Sequence, residues 1–194
     1  CTYAAGTEVM LAAVAAAGWQ FDHWGGALSG DANPETIRMD GDRAVTATFI
    51  DLPPTGSATS AAVPTDDAPT VGEQVEVEIS IDMSGVDAPD DALGSYTGSL
   101  EWDPSILAYV SDTGVPAGFT GVVNTAEVAS GRIVFNGANT SGAAGEVVIL
   151  TITFDVVGAG STDLDLEYSA MSAAYNFRDL LPLLTVTDGH VQLA

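Results

Sequence analysis

Residues Val75-Glu-Val-Glu-Ile-Ser-Ile-Asp-Met83 alternate without a break. Val75, Val77, Ile79, Ile81 and Met83 fall on one side of an extended chain, and Glu76, Glu78, Ser80 and Asp82 fall on the other. Side chains of a strand point alternately to its two faces, so this is an antiparallel strand with one face on a core and one in water. Outward from it, further strand-like runs occupy residues 96–102, 107–110, 121–128, 132–138, 146–157, 162–168, 183–187 and 189–193. Gly, Pro, Asn and Asp punctuate them at short intervals, which predicts an all-β sandwich of about eight or nine strands.

On the N-terminal side lies Asp51-Leu-Pro-Pro-Thr-Gly-Ser-Ala-Thr-Ser60, whose proline pair blocks a helix and whose small polar residues favour an extended connector. The chain therefore reads as a β-rich domain over residues 1–51, a linker over 52–57 and the sandwich over 58–194. In the first domain, Gly6-Thr7 and Gly18 bracket a strand expected over 8–16. A second, over 19–24, puts Trp19, Phe21 and His23 on one face and Asp22 and Trp24 on the other. Strands over 36–39 and 44–50 flank Asp40-Gly41-Asp42, a hairpin signal.

The 194 residues hold 4 Lys+Arg against 27 Asp+Glu, a net charge of -23. All four cations are arginines: Arg38, Arg43, Arg132 and Arg178. Binding a phosphate backbone or an anionic membrane needs clustered basic side chains, so nucleic acid and a polybasic membrane patch are both excluded. Apolar residues make up 46% of the chain, enough for a core. The longest apolar stretch, residues 9–17, is too short to span a bilayer, so no transmembrane segment is expected. Cys1 stands where a Met would begin a chain, which fits a processed protein or a piece of a longer one. It has three readings: half of a disulfide with an upstream partner, a lipid-modified terminus, or a free thiol.

Candidate chemical residues divide simply. Asp103-Pro104 reads as a turn whose carboxylate accepts backbone N–H bonds, and Trp102 as a core residue beside Leu100. Trp19 and Trp24 read as core aromatics rather than a sugar-stacking platform, and His23 and His190 as structural. Asp163, Asp165 and Glu167 share one solvated strand face. Asp87, Asp90 and Asp91 crowd one loop, where short oxygen ligands suit Ca²⁺, the one cofactor the composition suggests. No Gly-x-Ser-x-Gly, phosphate loop or His-Glu-x-x-His motif occurs, so catalysis is not expected.

Two resemblances add to this. Gly6-Thr7, Gly18-Trp19-Gln-Phe21-Asp-His-Trp24-Gly-Gly26, Asn33-Pro34 and Val45-Thr-Ala-Thr-Phe49 resemble the bacterial extracellular repeats related to the internalin B-repeats, with the front of the repeat missing. That implies a spacer or adhesive stalk. Residues 58–194 resemble a cohesin, the jelly-roll β-sandwich that captures dockerins in surface assemblies. The resemblance rests on Val71-Gly-Glu-Gln-Val-Glu-Val77, Leu100-Glu-Trp102-Asp103-Pro104-Ser-Ile-Leu107, Gly131-Arg-Ile-Val-Phe135-Asn-Gly-Ala-Asn139, Val148-Ile-Leu-Thr-Ile-Thr-Phe154-Asp-Val156 and Asp188-Gly189-His-Val191.

It implies a flat face on the third, fifth, sixth and eighth strands, with Ser95, Thr97, Thr125, Glu127, Asn139 and Gly142 at the partner-contacting positions. Cohesins often place acidic or aromatic residues there, whereas these are mostly small and neutral, which suits a hydrogen-bonding protein partner. The expected function is non-enzymatic, extracellular or cell-surface attachment to a dockerin-like module. The alternatives are a filament or surface-layer subunit that binds neighbouring copies of itself, and a module that binds polysaccharide.

Overall fold

The computed structural model describes residues 1–193. The chain divides into two compact units, with the boundary between Pro53 and Pro54.

The first unit holds β1 (Thr7–Leu11), β2 (Trp19–Gly26), β3 (Glu35–Met39) and β4 (Val45–Asp51). β1 pairs with β3 and β2 with β4, both antiparallel. Three expectations change here. The strand expected over 8–16 ends at Leu11, and beyond it the Asn33 side chain takes both backbone groups of Ala13, at 2.9 Å to its N–H and 2.7 Å to its carbonyl. Asp40-Gly41-Asp42 does not close a hairpin, because β3 and β4 belong to different sheets. A bulge at Asp22 sets Phe21 opposite Phe49 but His23 opposite Thr48. The inserted residue brings Trp24 to the Phe21 ring, 5.0 Å between centroids, where strict alternation placed them apart. Trp24 is buried with its indole N–H on the Ala32 carbonyl, at 2.8 Å, while Trp19 stays 46% exposed.

The second unit runs β5 (Gly56–Pro64), β6 (Gln74–Val86), β7 (Ala92–Glu101), β8 (Leu107–Asp112), β9 (Thr120–Asn124), a 3-10 turn (Val128–Ser130), β10 (Arg132–Ala144), β11 (Glu146–Val156), β12 (Ser161–Ala173), a second 3-10 turn (Leu181–Leu183), β13 (Leu184–Thr187) and β14 (Gly189–Gln192). Two five-stranded sheets result, in the orders β13-β5-β6-β11-β8 and β14-β12-β7-β10-β9. All pairings are antiparallel except β13 with β5, which is parallel. This is an all-β jelly-roll sandwich.

β5 was expected to be connector up to residue 57, yet it begins at Gly56. Its small residues serve burial: Ala58, Ser60 and Ala62 face inward, and the Ser60 hydroxyl donates to the Ser80 carbonyl at 2.6 Å and bonds the Tyr168 hydroxyl at 2.8 Å. Gly56 adopts a φ of 95°, and a Cβ there would lie 2.2 Å from the Gly85 carbonyl oxygen, so no other residue fits that crossing. The strand expected over 121–128 stops at Asn124, whose side chain accepts the Ala126 N–H at 3.0 Å and turns the chain into the 3-10 segment.

The inward positions of β6 deliver what the alternation demands: Val75, Val77, Ile79, Ile81 and Met83 are all fully buried. Opposite them lie Leu100, Ile133 and Phe135, and Trp102 meets Phe154 edge-on with centroids 4.9 Å apart. Each large inward ring contributes a few kcal/mol by removal from water. Phe154→Ala should therefore lower stability by about 3–5 kcal/mol, read as a reduced urea midpoint. A loss below about 1 kcal/mol would mean that the two sheets do not share one interior.

Candidate partner-binding face

β7 lies at the centre of its sheet, with β12 on one side and β10 then β9 on the other. Its register carries rows of side chains straight across the outward surface. Thr120, Ala138, Ser95 and Ser172 form one row, and Val122, Asn136, Thr97 and Ala170 the next. Asn124, Val134, Ser99 and Glu167 follow, and then Arg132, Glu101 and Asp165. Intervening residues such as Tyr96, Leu100, Phe135 and Leu166 point into the core. The face is thus graded. One end is short, neutral and rich in hydroxyls, and the other is acidic.

At the neutral end the Ser95 and Ser172 hydroxyls meet at 2.8 Å, and the Asn136 side-chain oxygen accepts the Val122 N–H at 3.1 Å. Val122 itself is 58% exposed. At the acidic end a hollow of about 300 Å³ is lined by Glu101, Asp165, Glu167 and Asp188. Arg132 reaches Glu101 at 3.0 Å and Glu127 at 2.8 Å, and those carboxylates hold its guanidinium above its ordinary pKa, with Glu127 the stronger cause.

The positions expected to contact a partner divide. Ser95 and Thr97 stand outward on the central strand, on the face. Thr125 and Glu127 lie in the turn after β9, and the Glu127 carboxylate is engaged by Arg132. Asn139 sits past the irregularity that follows Ala138 and folds onto its own turn, accepting the Ser141 N–H at 2.9 Å. Gly142 has a φ of 70°, and a Cβ on it would stand 2.8 Å from the methyls of Ala174 and Ala92, so it is a packing glycine. Residues not expected at partner-contacting positions, Val122, Asn136, Val134 and Ser172, share the face instead. Only the strand register reveals them.

In the loop expected to bind Ca²⁺, two of the three carboxylates have protein partners. Asp90 is 2% exposed and accepts Asn176 Nδ2 at 2.5 Å and Arg178 Nη1 at 3.2 Å, while Asp87 accepts the Thr55 hydroxyl at 2.8 Å. Asp91 remains exposed. The Asp90 carboxylate is thus engaged by protein donors, and the described residues contain no group of three acidic, His or Cys side chains placed to hold a metal. Asp163, Asp165 and Glu167 alternate outward into solvent, with His190 on Asp163 at 2.7 Å. Asp103 accepts both the N–H and hydroxyl of Ser105, at 2.8 and 2.6 Å, and these bonds hold its carboxyl below its usual range. Trp102 is buried with its indole N–H on the Leu107 carbonyl, at 2.9 Å, and so forms no sugar-stacking surface.

Residues 1–52 match the family model described as a divergent InlB B-repeat domain. No curated protein matches the chain by sequence. Among solved structures, the seventh ScaB type I cohesin of Pseudobacteroides cellulosolvens aligns at a TM-score of 0.54 and 19% identity, over 71% of this chain and 92% of that one. The second unit has the cohesin fold. A cohesin of OlpA from Clostridium thermocellum aligns at 0.56 and 14% identity, over 71% and 99% of the two chains. The non-cellulosomal cohesin of the archaeon Archaeoglobus fulgidus aligns at 0.54 and 15%, over 72% and 91%. Counted along the cohesin fold from β5, the strands β7, β9, β10 and β12 are the third, fifth, sixth and eighth. The graded surface is therefore the outward face of that sheet.

Burial pushes the Tyr96 phenol up to about 12, and burial with the Asp112 carboxylate, which accepts its O–H at 2.5 Å, pushes Tyr109 up to about 12. Burial also raises Tyr168, against the opposing bond from Ser60. A phenol whose folded pKa exceeds its unfolded value near 10 favours the native state fully below about pH 10 and loses that contribution as pH climbs towards 12. The second unit should therefore unfold cooperatively above about pH 10.5, with tyrosinate absorbance rising together with loss of β-sheet circular dichroism. Absorbance that reached its full value before any unfolding would contradict the burial of these rings.

Proposed function

We propose that the second unit captures a folded protein partner of the helical, dockerin-like kind on the outward face of β12, β7, β10 and β9. On this reading the chain is a non-enzymatic attachment module that works outside the cell or on its surface, with the first unit as spacer and the boundary at Pro53–Pro54. The observation that carries the reading is the row Val122, Asn136, Thr97 and Ala170: an uncovered sheet surface whose hydrogen-bonding groups are fixed by the strands beneath them. A rigid face of this kind loses little entropy when it docks. Its amides and hydroxyls suit the polar contacts of a non-obligate interface.

Other observations support the same reading. The cohesin of OlpA was solved with the dockerin Doc918, and the third cohesin of ScaC from Acetivibrio cellulolyticus with the ScaB dockerin. The likeness of residues 1–52 to the InlB B-repeat supports a spacer at the bacterial surface. No helix among the described residues is long and apolar enough to cross a membrane. The carboxylates whose titration is displaced, Glu73, Asp82 and Asp103, are all lowered by hydrogen bonds from a neighbouring Thr or Ser. A catalytic general acid needs the opposite shift.

Thr97→Arg places a long cation in the middle of the face while leaving the core untouched. Isothermal titration against a panel of dockerin modules should show 1:1 binding to the wild-type protein, weakened at least tenfold, about 1.4 kcal/mol, in the variant. The same change at Thr125 should leave affinity within about twofold, about 0.4 kcal/mol, because that residue lies off the face. Binding unaffected by Thr97→Arg, or a wild-type protein that takes no member of the panel, overturns the reading.

A further inference from the structure

The segment after β12 forms a short hairpin that displays two aromatic side chains in water. Tyr175 is 70% exposed and Phe177 75%. Among the described residues Phe177 is the one non-glycine with positive φ, at 57°. A bulky side chain in the left-handed region is disfavoured and persists only where its surroundings over-determine it. Here they do. The Ala173 N–H donates to the Arg178 carbonyl at 3.0 Å, Leu180 to Met171 at 2.9 Å, and Ala174 to Ala92 at 3.0 Å. The buried Asp90 carboxylate takes both Asn176 and Arg178, and the Tyr175 hydroxyl donates to the Ser141 carbonyl at 2.7 Å. The Phe177 ring is thus held out to solvent by a frame anchored in the core. A pre-positioned aromatic of this kind is the usual anchor of a protein contact.

The same unit contains a socket free of carboxylates. Pro104, Ala108, Tyr109, Val128 and Ala129 line an apolar hollow of about 300 Å³. It lies beyond the Glu101 end of β7, whereas the hairpin is bonded to the Ala92 end. A ten-residue strand spans about 33 Å, so a molecule cannot seat its own Phe177 in its own hollow. The occupant must come from elsewhere, and charge narrows the choice. Copies that each carry -23 repel wherever carboxylates face one another, and neither Tyr175-Asn-Phe177 nor the lining of the hollow holds one.

We propose that Phe177 of one copy seats in the Pro104–Tyr109–Val128 hollow of the next, so that the chains join head to tail through opposite ends of the sandwich. Such a contact is heterologous: it repeats into an open row rather than closing on itself. It leaves the sheet face between the two ends uncovered, so it stands apart from partner capture. A contact this small is weak and concentration-dependent.

Sedimentation velocity of the full chain, from micromolar to millimolar and with EDTA present, tests this. The wild-type protein should associate progressively, and more readily at higher salt, which screens the repulsion. Phe177→Ser and Ala129→Arg should each be monomeric with unchanged circular dichroism. Mixed, they should form a 1:1 pair and nothing larger, because one intact knob and one intact socket remain. Phe177→Gly separates binding from folding: it suits the left-handed backbone, so Tm should rise by roughly 2–4 °C while association is lost. A wild-type monomer at millimolar concentration, association that survives both Phe177 variants, a mixture that stays monomeric, or association abolished by EDTA in the wild-type protein would each overturn the proposal.

Discussion

Two sheets share one interior, and everything else about the second unit depends on the separation of charge from that interior. β6 shows the constraint in its simplest form: Val75, Val77 and Ile79 are buried while Glu76 and Glu78 between them are in water. A chain of net charge -23 can bury a core only if its carboxylates fall at outward positions, since an unpaired buried carboxylate costs several kcal/mol. Among the described residues one acidic side chain, Asp90, is buried, and it is paired with the Arg178 guanidinium. The strand period keeps the remainder outside.

That separation also shapes the outward surfaces. On β12 the alternation that buries Leu164 and Leu166 exposes Asp163, Asp165 and Glu167, and this makes one end of the β7 sheet acidic. On β7 the outward positions are Ser95, Thr97 and Ser99, and the central strand of the face stays neutral until Glu101. A surface graded in this way discriminates by repulsion as well as attraction, because an acidic partner cannot cover its far end. The arginine closest to that end, Arg132, is already engaged with Glu101 and Glu127 and leaves the sign of the field unchanged.

How much of the fold and face is legible in the sequence varies with the kind of signal. Period-two runs and turn residues marked the strands of the sandwich, and local carboxylate chemistry at Asp103-Pro104 was readable as a turn, because both depend on neighbours in the chain. The inward row of β5 was hidden, since Ala58, Ser60 and Ala62 are small enough to read as linker, and only their contact with β6 and Tyr168 shows why small residues are needed. The bulge at Asp22 was hidden for a related reason. One inserted residue reverses every face downstream of it and leaves no mark in composition. The carboxylates of Asp87, Asp90 and Asp91 looked alike in sequence, but Arg178, far along the chain, singles out one of them.

By itself the sequence determined the class of the fold, the positions of most strands of the sandwich and the sign of the charge. These follow from residue type and period, which are local properties. Only the tertiary structure decided which side chains stand together on that face. It also decided that Asn139 and Gly142 serve their own turn, and that Phe177 projects from a strained hairpin anchored on Asp90. Those outcomes depend on register, bulges and long-range pairing. They arise when strands distant in the chain come to lie side by side, about 4.8 Å apart.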